Sequence, residues 1–488
     1  EREELAAELL ASPHQAVVAA TLDAMVDDPQ AGLTGPIEAL LQNAALSDVI
    51  ERRAIAALVA NLGAESDTKA GSLRAIQGLS MVANGPVSSR APRLLEECLD
   101  AKALDAGDAA DALKASLASS DVSTRAAAAR ALGFGSKDAC LPIARKLGES
   151  DSSGRVRRAA VTASLTLEPV EDDDQRAWLV GRLSADGSAA IREDIAVALG
   201  QEGLDDVQGP LIQALGDKAW GVAACAAVSL GRTRAESCID ELAALSRRED
   251  SWRMRGAAAV GLCHAMHKRA IPPLIELLAD PEPLVARTAF GFLKSIAKGP
   301  AIGPDIELWR AWWAENEKRI HLETPKEANA RREKYGYSES PDEIYAGLDV
   351  MVFESRGDHI ETVLDFIGIS HRKTTSNRVA EGALDASGVF VSNCTGEMQV
   401  GDVERLQWFV KCGGYLFGSC WAINETIERV APGAIRKFFT SSEVMDKVTA
   451  SACDPGNGYL KGVFPAGVVP IYSTTTTFTP PMARAAGI

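Results

Sequence analysis

The chain has 488 residues, of which 46% are hydrophobic, 24% charged and only 5% aromatic, and its 67 acids outnumber 51 bases for a net charge of −16. This is the composition of a globular protein of roughly two to four domains, and abundant alanine with few aromatics speaks for packed helices and against a β-sandwich. The acidic excess repels phosphate backbones and disfavours nucleic acid as a partner, and no uncharged apolar run is long enough to make a transmembrane helix.

Nine cysteines, at 98, 140, 225, 238, 263, 394, 412, 420 and 453, are scattered, odd in number and free of any Cys-x-x-Cys pair. They form neither a disulfide framework nor a zinc site and read as small buried residues kept reduced, as in the cytoplasm. The first residue is Glu1, so export by way of a removed leader stays open.

In chain order, Gln15–Leu22 and Ile50–Leu58 are the first alanine-rich helical stretches. Residues 63–110 fit the same pattern loosely, interrupted by Gly71, Gly85, Pro86 and Pro92. From about 110 a repeat is plain: an acid at a turn, then Arg or Val, then alanines ending in Leu. Asp121-Val-Ser-Thr-Arg125-Ala-Ala-Ala-Ala-Arg-Ala-Leu132-Gly133 is its clearest copy. The terminal leucines 132, 165, 199, 230, 262 and 293 are spaced by 33, 34, 31, 32 and 31 residues. Segments such as Pro210–Leu215 and Pro273–Leu278 supply a first helix to each unit. One helix–turn–helix unit cannot bury its own apolar stripe, so the units must stack into a solenoid.

The unit lacks the Trp, Tyr and Pro of tetratricopeptide repeats and the Thr-Pro-Leu-His of ankyrin. Its Asp…Val-Arg…Ala-Ala…Ala-Leu-Gly pattern resembles the short HEAT repeats of phycobilisome-lyase type, over about residues 110–295. That resemblance implies an α-solenoid with another protein on its concave face. Some HEAT proteins hold metals through His-Glu pairs, but no such dipeptide occurs here. His264 and His267 are spaced i, i+3 at the end of a second helix, where capping of carbonyls is the expected role; no metal and no cofactor are expected.

Gly299-Pro300-Ala-Ile-Gly303-Pro304 closes the array, and Trp309, Trp312 and Trp313 then fall on one helix that is expected to cap the last unit around Phe290 and Leu293. Residues 323–345 read as a polar linker. From 347 strands alternate with helices: strands at 348–353, near 371–375, 388–392 and 415–418, and helices at 358–367, 400–412 and 421–430. Such alternation makes a parallel sheet with helices on both faces.

At Gly418-Ser419-Cys420-Trp421-Ala422 a strand ends, a small-residue turn follows and a helix begins, the setting of a nucleophile elbow. A helix N-terminus there lowers a thiol pKa and offers N–H groups to an oxyanion. The layout over 347–470 resembles the class I glutamine amidotransferase-like superfamily, a flavodoxin-like three-layer α/β fold with Gly-x-Cys-x-Gly after a strand; Ala422 replaces the last Gly. That family's triad needs a His after the Cys, yet the last His here is His371. The resemblance to its protease-like branch pairs Cys420 with an acid after the first strand, the place Glu354 occupies. Trp421 narrows any pocket beside the thiol.

The expected architecture is therefore mainly α: a HEAT solenoid at 1–298, a Trp-rich capping helix and linker at 299–346, and an amidotransferase-like α/β domain at 347–488. The last has fewer strands than its class requires and is expected to be incomplete at its C-terminus. The expected function is a protein-interaction scaffold with a non-catalytic second domain. The alternative is a Cys420-dependent hydrolase or amidotransferase-like enzyme, with Cys420 and Glu354 as candidate catalytic residues and the solenoid recruiting substrate.

Overall fold

The computed structural model describes residues 2–432 except 83–86, 88–89, 202, 205, 298–301, 323–326, 328–348, 356–358, 367–368, 381–383, 385–387 and 419–421, together with 447–449 and 471–473. The chain separates into two compact units, residues 1–281 with 288–325, and residues 282–287 with 326–488. It is mainly helical, with a small parallel sheet towards the C-terminus.

The helices of the first unit are α1 (Arg2–Leu10), α2 (Gln15–Asp27), α3 (Thr34–Leu41), α4 (Asp48–Leu62), α5 (Thr68–Met81), α6 (Arg90–Asp100) and α7 (Ala109–Leu117). They continue as α8 (Val122–Ala131), α9 (Lys137–Ser150), α10 (Gly154–Leu167), α11 (Asp173–Ala185), α12 (Ala189–Ala198), α13 (Gln208–Ala214), α14 (Trp220–Thr233), α15 (Ile239–Leu245), α16 (Trp252–Ala265) and α17 (Ile271–Glu276). Helix α18 (Pro283–Ala297) follows, then α19 (Ile306–Asn316). First and second helices alternate as the repeat demands. Of the interruptions expected within 63–110, Gly71 lies inside α5, against the Glu65 side chain, and Pro92 sits in the first turn of α6, where a missing N–H costs nothing; Gly85 and Pro86 lie outside the described residues.

Second helices are where the alanines matter. Leu132, Leu199, Leu230, Leu262 and Leu293 are fully buried. Leu165 is only half-buried, and the fully buried residue of that helix end is Ser164, whose hydroxyl bonds the Val161 carbonyl. The reason is register. Leu132, Leu199 and Leu262 stand seven residues after Arg125, Arg192 and Arg255, and Ser164 stands seven after Arg157.

Those arginines form a ladder. Arg125 donates to Asp151 (3.0 Å), Arg157 to Asp186 (2.9 Å), Arg192 to Asp217 (2.7 Å) and Arg255 to Asp280 (2.6 Å). Each pair therefore links a second helix to the next unit's turn. Each arginine also reaches back to carbonyls before its own helix, such as Ser119, Asp151, Asp186 and Arg248. Asp151, Asp186 and Asp217 in turn accept a backbone N–H two residues on, which sets the turn. One rung is missing, because Ala223 stands where α14 would carry the arginine. Asp250 accordingly pairs with its neighbour Arg248 and lies exposed. At that step α14 and α16 pack backbone to backbone: a methyl on Gly231 would overlap the Gly261 carbonyl, and one on Gly261 would sit 2.5 Å from the Ala227 carbonyl oxygen.

A separate buried cluster holds the upstream units. Arg90, 1% exposed, donates to Glu51 (2.7 Å) and to the carbonyls of Leu41 and Asn43, tying α6 to α4 and to the end of α3. At the other end Trp309 is fully buried, 6.4 Å from the Phe290 ring and 5.1 Å from Trp312, and its indole N–H reaches the Gly303 carbonyl. Arg310 of α19 pairs with Glu276 of α17.

In the second unit, β1 (Val350–Phe353), α20 (Ile360–Phe366), β2 (His371–Thr374), β3 (Val389–Ser392), α21 (Val400–Lys411) and β4 (Tyr415–Gly418) follow the expected alternation. The sheet is parallel throughout, in the order β2-β1-β3-β4. A turn of π-helix (Ile423–Ile427) runs into a short α22 (Glu428–Val430), and β5 (Lys447–Thr449) pairs antiparallel with β6 (Ile471–Ser473). Between α20 and the sheet, Val350, Val352 and Val391 pack with Ile360 and Leu364. Buried Asp402, at the start of α21, accepts from Ser376, Asn377 and Ala380 and so holds the chain after β2.

Candidate functional site

Helical repeats spend one face of each second helix on packing and leave the other to solvent. On α8, Ser123 and Arg130 are exposed. On α10 the exposed face is Arg155, Arg158, Thr162 and Thr166, and on α12 it includes Val197, 45% exposed. Arg158 reaches Asp194 of α12 (2.8 Å), and Arg155 reaches the Ser123 hydroxyl (3.4 Å). Trp220 and Trp252 stand at equivalent positions of consecutive units, and the Arg253 guanidinium lies between them, 5.2 and 5.1 Å from their rings. Both distances are within the range of a cation–π contact.

His264 and His267 do not converge on a ligand. His267 Nδ1 accepts the Arg269 N–H (3.2 Å), so it caps the turn that follows instead of the carbonyls that precede it. Burial, helped by the nearby Arg232 and Arg234 charges, pushes His264 down to about 4. Among the described residues no cluster of three His, Cys, Asp or Glu side chains is placed to hold a metal ion. Buried thiols in the array are shifted away from reactivity: burial pushes Cys98 up to about 11 and Cys225 up to about 12.

In the second unit, the carboxyl edge of the sheet is where doubly wound folds place ligands, at the point where strand order reverses, here between β1 and β3. Glu354 and Ser355 leave β1 at that edge, and Asn393, Cys394, Thr395 and Gly396 leave β3. Much of the edge is knitted together. Ser355 Oγ accepts the Thr395 N–H (2.7 Å), and buried Asn393 donates to Glu361 (2.8 Å). Burial raises the Glu361 carboxyl pKa, but hydrogen bonds from its own N–H, Asn393 and His359, with the Lys373 charge, hold it below the usual range. Buried Thr426 bonds the Ser392 hydroxyl (2.7 Å) and the Gly396 carbonyl (2.9 Å). Gly396 has φ +79° and lies so close to Ala422 that a side chain there would meet the Ala422 Cα at 2.9 Å. The loop after β3 is thereby fastened to the helix after β4.

Of the two residues singled out from sequence, Glu354 lies at this edge, half-exposed, with Lys373 Nζ 3.7 Å from its carboxylate. Cys420, with Ser419 and Trp421, lies outside the described residues; its flanks are Gly418, the end of β4, and buried Ala422, just before the π-turn. Asn393, Glu361 and Thr426 went unremarked in the sequence, because a lone polar side chain at a strand exit or in a helix carries no periodic signal of its partner.

Among the described residues no helix is long and apolar enough to cross a membrane. No curated protein matches the chain. Among solved structures, the X-ray structure of YibA from Escherichia coli is 17% identical with a TM-score of 0.35, the match covering 51% of this chain and 95% of that one. Residues 176–263 match the family described as HEAT repeats. The helical stack of this chain thus contains units similar to HEAT repeats, between Arg176 and Cys263.

Proposed function

We propose that this protein is an interaction scaffold, docking another protein along the concave, second-helix face of its solenoid, and that the sheet unit is a non-catalytic, amidotransferase-like companion. The observation that carries the reading is the division of labour on the second helices. Arg125, Arg157, Arg192 and Arg255 are spent on inter-unit pairs, whereas Arg130, Thr162, Thr166 and Val197 are exposed, the two threonines donating only to carbonyls of their own helix. HEAT repeats commonly serve protein interaction, and an extended side-chain column on stacked units suits that use. Glu354, engaged by Lys373, fits a companion role for the sheet unit.

A photo-crosslinking residue at Thr162 or Val197 in the full chain should trap one partner protein, the same from both positions, and excess unlabelled protein should compete it away. Equal trapping from the first-helix position Glu149, or no competition, would overturn the reading. The rival enzyme reading draws on the strand order 2-1-3-4, shared with doubly wound folds, and on a strand and a helix flanking 419–421. Iodoacetamide labelling of Cys420 faster than a model thiol, and altered by Glu354→Gln, would favour it.

A further inference from the structure

Between residues 122 and 265 the second helices carry a surplus of arginine. The second helices α8, α10, α12, α14 and α16 contain nine arginines (125, 130, 155, 157, 158, 192, 232, 253 and 255) and no lysine, against two acids, Glu193 and Asp194; the next, α18, carries Arg287 and Lys294. This occurs in a chain with 67 acids and 51 bases. The surplus of carboxylates must therefore lie elsewhere. Four of the nine arginines are neutralised within the ladder by Asp151, Asp186, Asp217 and Asp280, all of which sit in turns. Arg158 is paired with Asp194. Arg130 and Arg232 have no carboxylate partner among the described residues, and Arg155 meets only a hydroxyl. His264, beside Arg232, is neutral above its depressed pKa of about 4. It adds no charge near neutral pH, so the surplus there is arginine alone.

We propose that the second-helix face takes an acidic polypeptide segment, Asp/Glu-rich, whose carboxylates engage Arg130, Arg155 and Arg232. The inference rests on the scaffold reading and names its partner's chemistry. A solitary unpaired arginine is an ordinary surface residue; a face on which unpaired arginines recur from α8 to α14 while acids are held to one helix is a complementary surface for negative charge. Guanidinium suits carboxylates because its paired N–H groups match two oxygens at once. A polypeptide is favoured over nucleic acid because a long polyanion would extend past this stripe into the acidic remainder of a chain of net charge −16, whereas a short peptide stays within it. The alanine, serine and threonine between the arginines leave room for a backbone to lie close.

The test is fluorescence anisotropy with the full chain and three labelled probes at low and at moderate salt: a 20-residue Glu-rich peptide, a 20-residue Lys-rich peptide and a 20-nucleotide single-stranded DNA. The Glu-rich peptide should bind, weaken with salt, and weaken at least tenfold in the triple variant Arg130→Glu/Arg155→Glu/Arg232→Glu. The first-helix pair Lys114→Glu/Lys146→Glu should leave binding unchanged, and the three arginine-to-lysine changes should retain most of it. Circular dichroism melting identifies any variant that fails to fold; Arg130→Gln and Arg155→Gln, at exposed positions, then replace it. No binding of the Glu-rich peptide, tighter binding of the DNA, or equal loss from the first-helix pair would overturn the proposal. The scaffold reading fails separately: a partner trapped from Thr162 and Val197 but indifferent to the charge reversals would refute the acidic ligand and leave the scaffold standing.

Discussion

At the scale of single residues the protein depends on carboxylates that are buried with their arginines. Asp186 is 3% exposed and takes both Arg157 bonds as well as one from Arg182. Burial raises its carboxyl pKa, but the Arg157 hydrogen bonds, the Ser188 N–H and the guanidinium charge prevail and hold it below the usual carboxylate range. Asp186→Ala strands the Arg157 charge and should cost about 3–5 kcal/mol in denaturant unfolding. A carboxyl depressed on folding contributes stability above its unfolded pKa, lost as pH falls through the folded value, so Asp151, Asp186 and Asp217 together should make unfolding steeply easier below about pH 4. His264 acts in a separate window. Its folded pKa of about 4 is below the ordinary 6.5, so the unfolded chain binds the proton first and stability falls between about pH 6.5 and pH 4. Melting temperatures across that window should decline in the native protein, and His264→Gln should flatten the slope there while leaving the drop below pH 4.

At the scale of helices, backbone proximity decides more than propensity. Gly231→Ala improves intrinsic helix propensity by about 1 kcal/mol. Here the added methyl has nowhere to go but the Gly261 carbonyl, so the net effect should be destabilising, by roughly 1–3 kcal/mol, because α14 and α16 must separate. A stabilised Gly231→Ala protein would mean the two helices are not in contact. The leucine positions give a paired comparison. Leu199→Ala should cost about 2–5 kcal/mol, as for buried leucines generally. Leu165→Ala should cost less, since that side chain is only partly buried. Equal costs would contradict the shift in register.

At the scale of the whole chain, the repeat was legible because it is written in periodicity: small residues, an acid at the turn and a basic residue after it recur every 32 residues or so, and stacking follows from that alone. Strand–helix alternation after 347 was equally readable, and α21 and β4 fall within a residue of where apolar spacing puts them. The Leu165 slip arose because Ser164 fills a buried place in which a leucine was expected, and a hydroxyl satisfied by its own helix is indistinguishable in sequence from an exposed one. Long-range polar pairs were the least readable feature. Nothing in the order of residues says that Arg90 will find Glu51, or that Asn393 will find Glu361, since each pair spans over 30 residues with no period to mark it. The partnership of Glu354 with Lys373 is of the same kind: it depends on β1 and β2 lying side by side.

The missing rung at Ala223 gives the array two kinds of joint, and they answer to different chemistry. Joints closed by arginine and aspartate come undone when the carboxylates are protonated or when salt competes for them. The joint between α14 and α16 holds no buried pair of this kind and is sealed by interlocked glycine and alanine backbone; its acid-sensitive group is the buried His264, and its arginine pairs, Arg269 with Glu236 and Asp240, lie at the surface. With His264 replaced by glutamine, gradual acidification should therefore make the array shed its neighbours and leave residues 220–265 as the last ordered island. Hydrogen–deuterium exchange of that variant followed from pH 7 to pH 3 should show amides of α8, α10 and α12 losing protection first while those within 224–231 and 257–262 persist. A uniform loss across all second helices would show that the units melt as one body and that the two kinds of joint are equivalent.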